Sequence, residues 1–258
     1  MKIKRTIKAG NSSAVVLPKS WLNKEVRVEL ADKTPNIILT EVIDLLQMHL
    51  PLENVVGIYL VGSYARGDQN KDSDIDVLVI TGNVDKHIIK EGMYNILIIS
   101  SELLKQKLEK DLLPVGPMIK EAKPLLNSDY IRNIDIKVTE KNVKWYIDTT
   151  IDKLKIIKGV MAFSERKDET RLSDIVAYTL VLRIRTLYII NKLIEGKPYT
   201  KKDFIKLISS VSKGENAYVG YLAVKNNAED KKLITIEEAS NLYSYLENQL
   251  KAVKRDIN

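Results

Sequence analysis

The sequence predicts an α+β protein in three consecutive parts: a β-hairpin module over residues 1–39, a mixed-sheet domain over 40–135 and a helical bundle over 136–258. Three observations carry that prediction. The first part breaks into short strand-like runs, IKRTIKAG, SAVVLP, VRVEL and NIILT, punctuated by Gly10-Asn11, Pro18 and Pro35. The middle part alternates helix-like and strand-like runs, the pattern of a sheet with helices against it. In the last part Val143, Ile147, Ile151, Leu154, Ile157 and Met161 recur at three- and four-residue steps, one stripe of an amphipathic helix.

Within the middle part, a helix through EVIDLLQMHL precedes the strands VVGIYLV, DIDVLVIT and YNILIIS, with IKEAKPLL read as a further strand. The amphipathic run SELLKQKLEKDL reads as a helix capped by Ser100 or Ser101. Farther on, SDIVAYTLVLRIRTLYIINKLIEG is apolar on more than one face, as expected of a bundle's central helix, and Gly196 with Pro198 ends it. KKDFIKLISSV and EEASNLYSYLENQLKAV supply two more helices.

Composition narrows the classes. The 258 residues are 45% apolar and 29% charged, an ordinary balance for an ordered protein large enough to bury a sizeable core. There are no cysteines, which excludes disulfides and thiolate metal sites and fits a reducing, cytoplasmic setting. No run approaches the roughly 20 apolar residues of a membrane span, and no long hydrophobic region follows the charged N-terminus. The net charge of +7 is uneven: Lys2, Lys4, Arg5, Lys8, Lys19, Lys24 and Arg27 against Glu25 and Glu29 put +5 of it in the first thirty residues.

The stretch GSYARGDQNKDSDID, residues 62–76, follows an apolar run with a small-residue turn and closes on two aspartates. On a strand, residues i and i+2 share a face, so Asp74 and Asp76 can reach one point while Ile75 and Val77 point into core. Two close carboxylates repel unless a positive group lies between them, and Mg²⁺ is a hard, oxygen-seeking cation. Gly62 lets the backbone approach a ligand closely, and Ser63 offers a hydroxyl and an N–H to phosphate oxygens at the start of a helix. A nucleoside triphosphate with its metal satisfies both halves.

The stretch resembles the G-S-x-x-x-G…S-D-x-D signature of the DNA polymerase beta nucleotidyltransferase superfamily, with Gly62, Ser63, Arg66, Gly67, Asp68, Ser73, Asp74, Ile75 and Asp76 at the matching places. The resemblance implies that Gly62, Ser63, Arg66 and Gly67 bind the nucleotide, ATP foremost. It also implies that Asp74 and Asp76 are catalytic and hold two Mg²⁺ ions, and that a nucleoside monophosphate passes to an acceptor as pyrophosphate leaves. The superfamily uses a third acid on a neighbouring strand, and here that position aligns with Asn95, whose amide oxygen can ligate Mg²⁺ but cannot act as a base. Glu91, Glu121 and Glu195 are the alternatives, each with the plainer reading of a surface glutamate.

The opening IKRTIKAGNSSAVVLPKSWLNKEVRVEL resembles the AbrB/MazE-like swapped-hairpin DNA-binding domain, on Gly10-Asn11-Ser12, the strand Ala14 to Leu17, Pro18-Lys19 with Trp21, and Val26 to Leu30. That resemblance implies a homodimer with interleaved hairpins and a DNA-binding face of Lys2, Lys4, Arg5, Lys8, Asn11 and Lys19. The helical part is similar in pattern to the bundle of kanamycin nucleotidyltransferase or of HEPN proteins, without the R-x(4–6)-H ribonuclease motif. Arg183 and Arg185 lie on nearly opposite helix faces, each expected to pair with a surface acid, and the tyrosines of Tyr218-Val219-Gly220-Tyr221 are expected to pack. Two functions compete: an Mg²⁺-dependent nucleotidyltransferase tethered to a dimerising DNA-binding module, and a catalytically weak nucleotide-binding regulator or antitoxin-like DNA-binding protein.

Overall fold

A computed structural model describes residues 4–26, 28, 33–70 and 73–257. Three apolar runs build its centre: β3 (Val55–Val61), β4 (Ile75–Thr81) and β6 (Tyr94–Ser100). With the edge strands β5 (Lys86–Glu91) and β7 (Lys123–Leu126) they form a five-stranded mixed sheet in the order β5-β6-β4-β3-β7. Only the β4–β6 pairing is parallel. Alternate residues serve two cores, so these strands read as continuous apolar runs. Ile58, Leu60, Ile75, Val77 and Val79 pack against Ile38, Val42 and Leu46 of α1 (Pro35–Gln47). Tyr59, Val61, Leu78, Ile80 and Ile99 meet α3 (Ser101–Lys110), α4 (Gly116–Glu121) and α5 (Ser128–Arg132) through Leu104, Ile119 and Ile131. Each fully buried aliphatic side chain contributes about 1.5–3 kcal/mol relative to an exposed one.

The structure corrects the sequence reading at three places in this region. NIILT is not a strand but the first turns of α1: Thr34 caps the helix by accepting from the Ile37 N–H, and Pro35, read as a breaker, occupies a first-turn position where a missing N–H costs nothing. The boundary drawn at residue 39 therefore falls inside a helix. IKEAKPLL divides into the end of α4 and the short strand β7. The edge strand β5, with its charged termini, went unread. Ser100 is the cap of α3, accepting from the Leu103 N–H at 3.1 Å.

In the hairpin module, β1 (Ile7–Ala9) and β2 (Ser12–Ala14) pair antiparallel through a turn at Gly10, whose φ of +62° suits glycine. A single 3-10 turn over Lys19–Trp21 follows Pro18. No residue of 4–26 is buried. Most of VRVEL lies outside the described residues, and among the described residues around it no strand forms.

The bundle begins at α6 (Glu140–Arg166), whose Thr139 and Asn142 exchange hydrogen bonds in a capping box. The Asn142 amide also donates to the carbonyls of Leu108 and Lys137, at 2.7 and 2.9 Å, tying α6 to the end of α3. The central helix is α7 (Asp174–Ile194), followed by α8 (Lys201–Ser212), α9 (Asn216–Lys225) and α10 (Ile236–Ile257). Gly196 ends the α7 region in the left-handed conformation. The helix α9 was not read as one; its Tyr221 stacks on Tyr178 at 5.6 Å, so this segment packs as expected. At the head of α7 the buried Asp174 accepts from the backbone N–H groups of Lys231 and Leu233 at 2.9 and 2.8 Å. No helix among the described residues is long and apolar enough to cross a membrane.

Candidate active site

The site grows from the end of β3. Val61 pairs with Asp76 across the β3–β4 ladder, and the chain then turns at Gly62 into the short helix α2 (Gly62–Arg66), closed by Gly67. Gly62 has φ +68° and Gly67 φ +75°, conformations that L side chains rarely adopt. Gly62 is required twice over, because a Cβ there would stand 2.2 Å from Asp76 Oδ2. The small-residue bend and the paired acids are thus immediate neighbours.

Asp76 lies in β4 and Asp74 just before it, and both reach Asn95. The Asn95 Nδ2 donates to Asp74 Oδ2 at 3.1 Å and to Asp76 Oδ1 at 3.3 Å. Parallel register sets this meeting, since Asp76 and Asn95 are direct partners on β4 and β6. Ile75 and Val77 are buried on the opposite, α1-facing side, as the alternation required. Burial pushes the Asp76 carboxyl above the usual carboxylate range; the Asn95 hydrogen bond opposes this, the Asp74 charge adds to it and Arg66 opposes it.

The donor set suits a hard divalent cation. Two carboxylates converge on one amide NH₂, a donor of partial positive charge, where unneutralised acids would repel. Among the described residues no third acid, histidine or cysteine completes a cluster with them.

The other acids take different places. Glu91 pairs with Tyr94, whose side chain packs on the α1 side and donates to Glu41, so the register turns Glu91 away from the aspartate face. Glu195 is exposed, and Lys192 and Lys197 at 2.9 and 3.2 Å hold its carboxyl below the usual range, leaving it a weak proton acceptor. Glu121 is the unexpected member. It lies at the end of α4 rather than on a strand, and it grips the bend: Oε1 accepts from the Gly62 N–H at 2.6 Å and Oε2 from Arg66 Nη1 at 2.7 Å. Burial raises the Glu121 carboxyl, with Arg66 opposing. Burial also works against the Arg66 charge, yet Glu121 and Asp68 outweigh it and hold the guanidinium above its ordinary value.

Residues 39–149 match the family model of the nucleotidyltransferase domain. The nucleotidyltransferase match supports the reading of the chain as an enzyme, and it spans the later part of α1, the whole five-stranded sheet, the Gly62–Asp76 site and the start of α6. No curated protein matches the chain. Among solved structures, the chain is similar to a nucleotidyltransferase-like protein from Exiguobacterium sibiricum, at 13% identity over 84% of this chain and 75% of that one, with a TM-score of 0.40. It is also similar to the spectinomycin adenyltransferase of Enterococcus faecialis solved with ATP and spectinomycin, at 17% identity over 82% of this chain and 99% of that one, with a TM-score of 0.41.

The bundle contributes aromatic and cationic groups beside the Gly62–Asp76 site. The Tyr199 ring lies 5.9 Å from the Arg66 guanidinium carbon and 5.4 Å from that of Arg185. Arg183 faces away, donating to the Thr149 hydroxyl at 3.0 Å and lying over Trp145. The expected arginine–acid pairs are absent among the described residues, because α6 and the Tyr199 segment, not acids, stand opposite these arginines. In the hairpin module, Lys4, Arg5, Lys8, Asn11 and Lys19 are exposed; Lys2 lies outside the described residues.

Proposed function

We propose that the chain transfers a nucleoside monophosphate from a nucleoside triphosphate, ATP foremost, to an acceptor, with pyrophosphate as the leaving group. The observation that supports this reading is the close approach of the Gly62 bend to Asp76, which Asn95 joins to Asp74. Asp74 and Asp76 hold Mg²⁺, with Asn95 as a third, neutral oxygen donor once its amide turns. Bound Mg²⁺ would neutralise charge on the attacking and leaving oxygens of an in-line displacement at the α-phosphorus. The residues of the chain do the rest. The bend N–H groups and the Ser63 hydroxyl orient the phosphates. Arg66 lies along them as a planar, permanently charged fork, and Gly67 keeps the short helix from extending over the site.

A second reading rests on Asn95. With an amide where a third acid would stand, the site binds a metal–nucleotide complex and transfers slowly or not at all, so the protein acts as a nucleotide-responsive regulator or antitoxin-like partner. One experiment separates the two. Purified protein is incubated with labelled ATP, GTP, CTP or UTP and Mg²⁺, alongside Asp74→Asn and Asp76→Asn. Label appearing only with the native protein supports transfer. A Mg²⁺-dependent melting shift without label supports the regulator. Neither response removes both.

The hairpin module serves dimerisation and DNA binding in either case. Its β1–β2 pair encloses no core, and Ile7, Val16, Trp21 and Leu22 stand exposed, which favours a second copy of the chain as their cover. The exposed Lys4, Arg5, Lys8, Asn11 and Lys19, with Lys2, form the proposed DNA face. The three parts, 1–39, 40–135 and 136–258, remain the proposed domains, the first ending nearer α1. Sedimentation of the full chain and gel shifts at two salt concentrations test this: a monomer, or no retention at low salt, removes the corresponding half.

A further inference from the structure

We infer that Glu121 sets the nucleotide affinity of the site, because its carboxylate already occupies two donors that a phosphate would take. The inference rests on the nucleotide reading of the Gly62–Ser63 bend. Glu121 Oε1 lies 2.6 Å from the Gly62 N and Oε2 lies 2.7 Å from Arg66 Nη1. One oxygen on a bend N–H and the other on a guanidinium is how a phosphate would engage the same pair, since both anions present adjacent charged oxygens to N–H donors. The match is internal to the protein, and the pair is largely shielded, with side-chain exposures of 9% for Glu121 and 18% for Arg66. A triphosphate reaches the Gly62 N–H only by displacing the carboxylate, and it must then share the Arg66 guanidinium, whose Nη1 and Nε already serve Glu121 and Asp68.

Displacement lowers apparent affinity without altering the chemistry. Where the cradle is open only a fraction of the time, the observed Kd is the intrinsic one divided by that fraction. The converse role, Glu121 as a buttress that shapes the bend for phosphate, predicts the opposite sign. Removing a competitor tightens binding; removing a buttress weakens it. Asp68, the second acid on Arg66 at 3.3 Å, stays in place in either case and keeps the guanidinium near the bend.

The test uses the full chain with Glu121→Gln and Glu121→Ala, titrated by calorimetry with Mg-ATP and with magnesium tripolyphosphate, which has no base or sugar. Glu121→Gln keeps the shape and removes the charge, so it reports on affinity even if the alanine variant folds poorly. The expected result is a Kd about tenfold tighter for both ligands, as for a cradle open about one tenth of the time, with KM for ATP falling and kcat not rising. Unchanged or weaker binding in the variants, while the native protein binds, overturns the inference and leaves the nucleotide reading standing. No binding by the native protein or either variant overturns the nucleotide reading, and the inference with it.

Discussion

Gly62, one residue past the end of the β3–β4 ladder, meets Asp76 with no room for a methyl group: a Cβ on residue 62 would lie 2.2 Å from Asp76 Oδ2 and 3.0 Å from its Cβ. The bend and the acid edge therefore hold each other in position. Gly62→Ala is expected to cost about 1–2 kcal/mol for the left-handed backbone alone, with a further cost for moving Asp76. It should lower Tm by several degrees and abolish nucleotide labelling. Gly196→Ala is the control: its φ is also positive, at +67°, and the added carbon would meet only Lys120 Nζ, at an ordinary 3.8 Å. It should lose comparable backbone stability in thermal melts while retaining label.

Asn95→Asp installs the acid that the superfamily pattern calls for. In chelator, three carboxylates replace an amide-bridged pair and repel, so the variant should melt below the native protein. Mg²⁺ should restore it. Transfer should rise by about 100-fold or more if the new carboxylate accepts the acceptor's proton. Labelling rates and melting curves with Mg²⁺ and with chelator check both halves.

The pH dependence follows from Asp76, whose folded carboxyl sits above its ordinary value because of burial, with Asp74 adding to the shift and Asn95 and Arg66 opposing it. A raised acid binds its proton more tightly when folded. Its contribution to stability is therefore complete below the unfolded value and lost as pH rises through the folded one. Asp76→Asn should remove this decline and melt higher than the native protein at pH 7 in chelator, while losing all Mg²⁺-induced stabilisation. Melting curves at pH 4, 5.5 and 7 read the sign directly.

Asp174→Ala tests the bundle independently of the site. The buried carboxylate holds two backbone N–H groups of the 231–233 segment, and hydrogen bonds to a charged group contribute about 1.5–3 kcal/mol each. Removing it leaves those donors unsatisfied and should lower Tm by several degrees. Gly220→Ala should do the same from the other side, since its Cβ would stand 2.7 Å from Asp174 Oδ1.

The strands β3, β4 and β6 were legible because both of their faces are buried, which turns a sheet core into unbroken apolar runs. The shared face of Asp74 and Asp76 was legible because period-two alternation is local, whereas Asn95 was placed beside them through the family resemblance. Glu121 was visible as an acid but not as a partner of the bend. Its position depends on Gly116-Pro117 starting a short helix, and on a contact fifty-nine residues away in sequence. Pro35 misled for a simpler reason: a proline reads alike as a loop break and as a first helical residue, and only the Thr34 cap distinguishes them. Arg183 and Arg185 were separable by helix geometry, whereas their aromatic neighbours come from segments distant in sequence.

The helix α4 touches both halves of the molecule. Gly116 lies so close to Leu112, 2.8 Å from its Cδ1 to a hypothetical Cβ, that α4 is pressed against the bundle, with Leu193 of α7 at 3.5 Å from the same point. Its other end carries the carboxylate on the Gly62 amide. A substitution that moves Leu112 or Leu193 therefore bears, through the six residues of α4, on the carboxylate that holds the Gly62 amide.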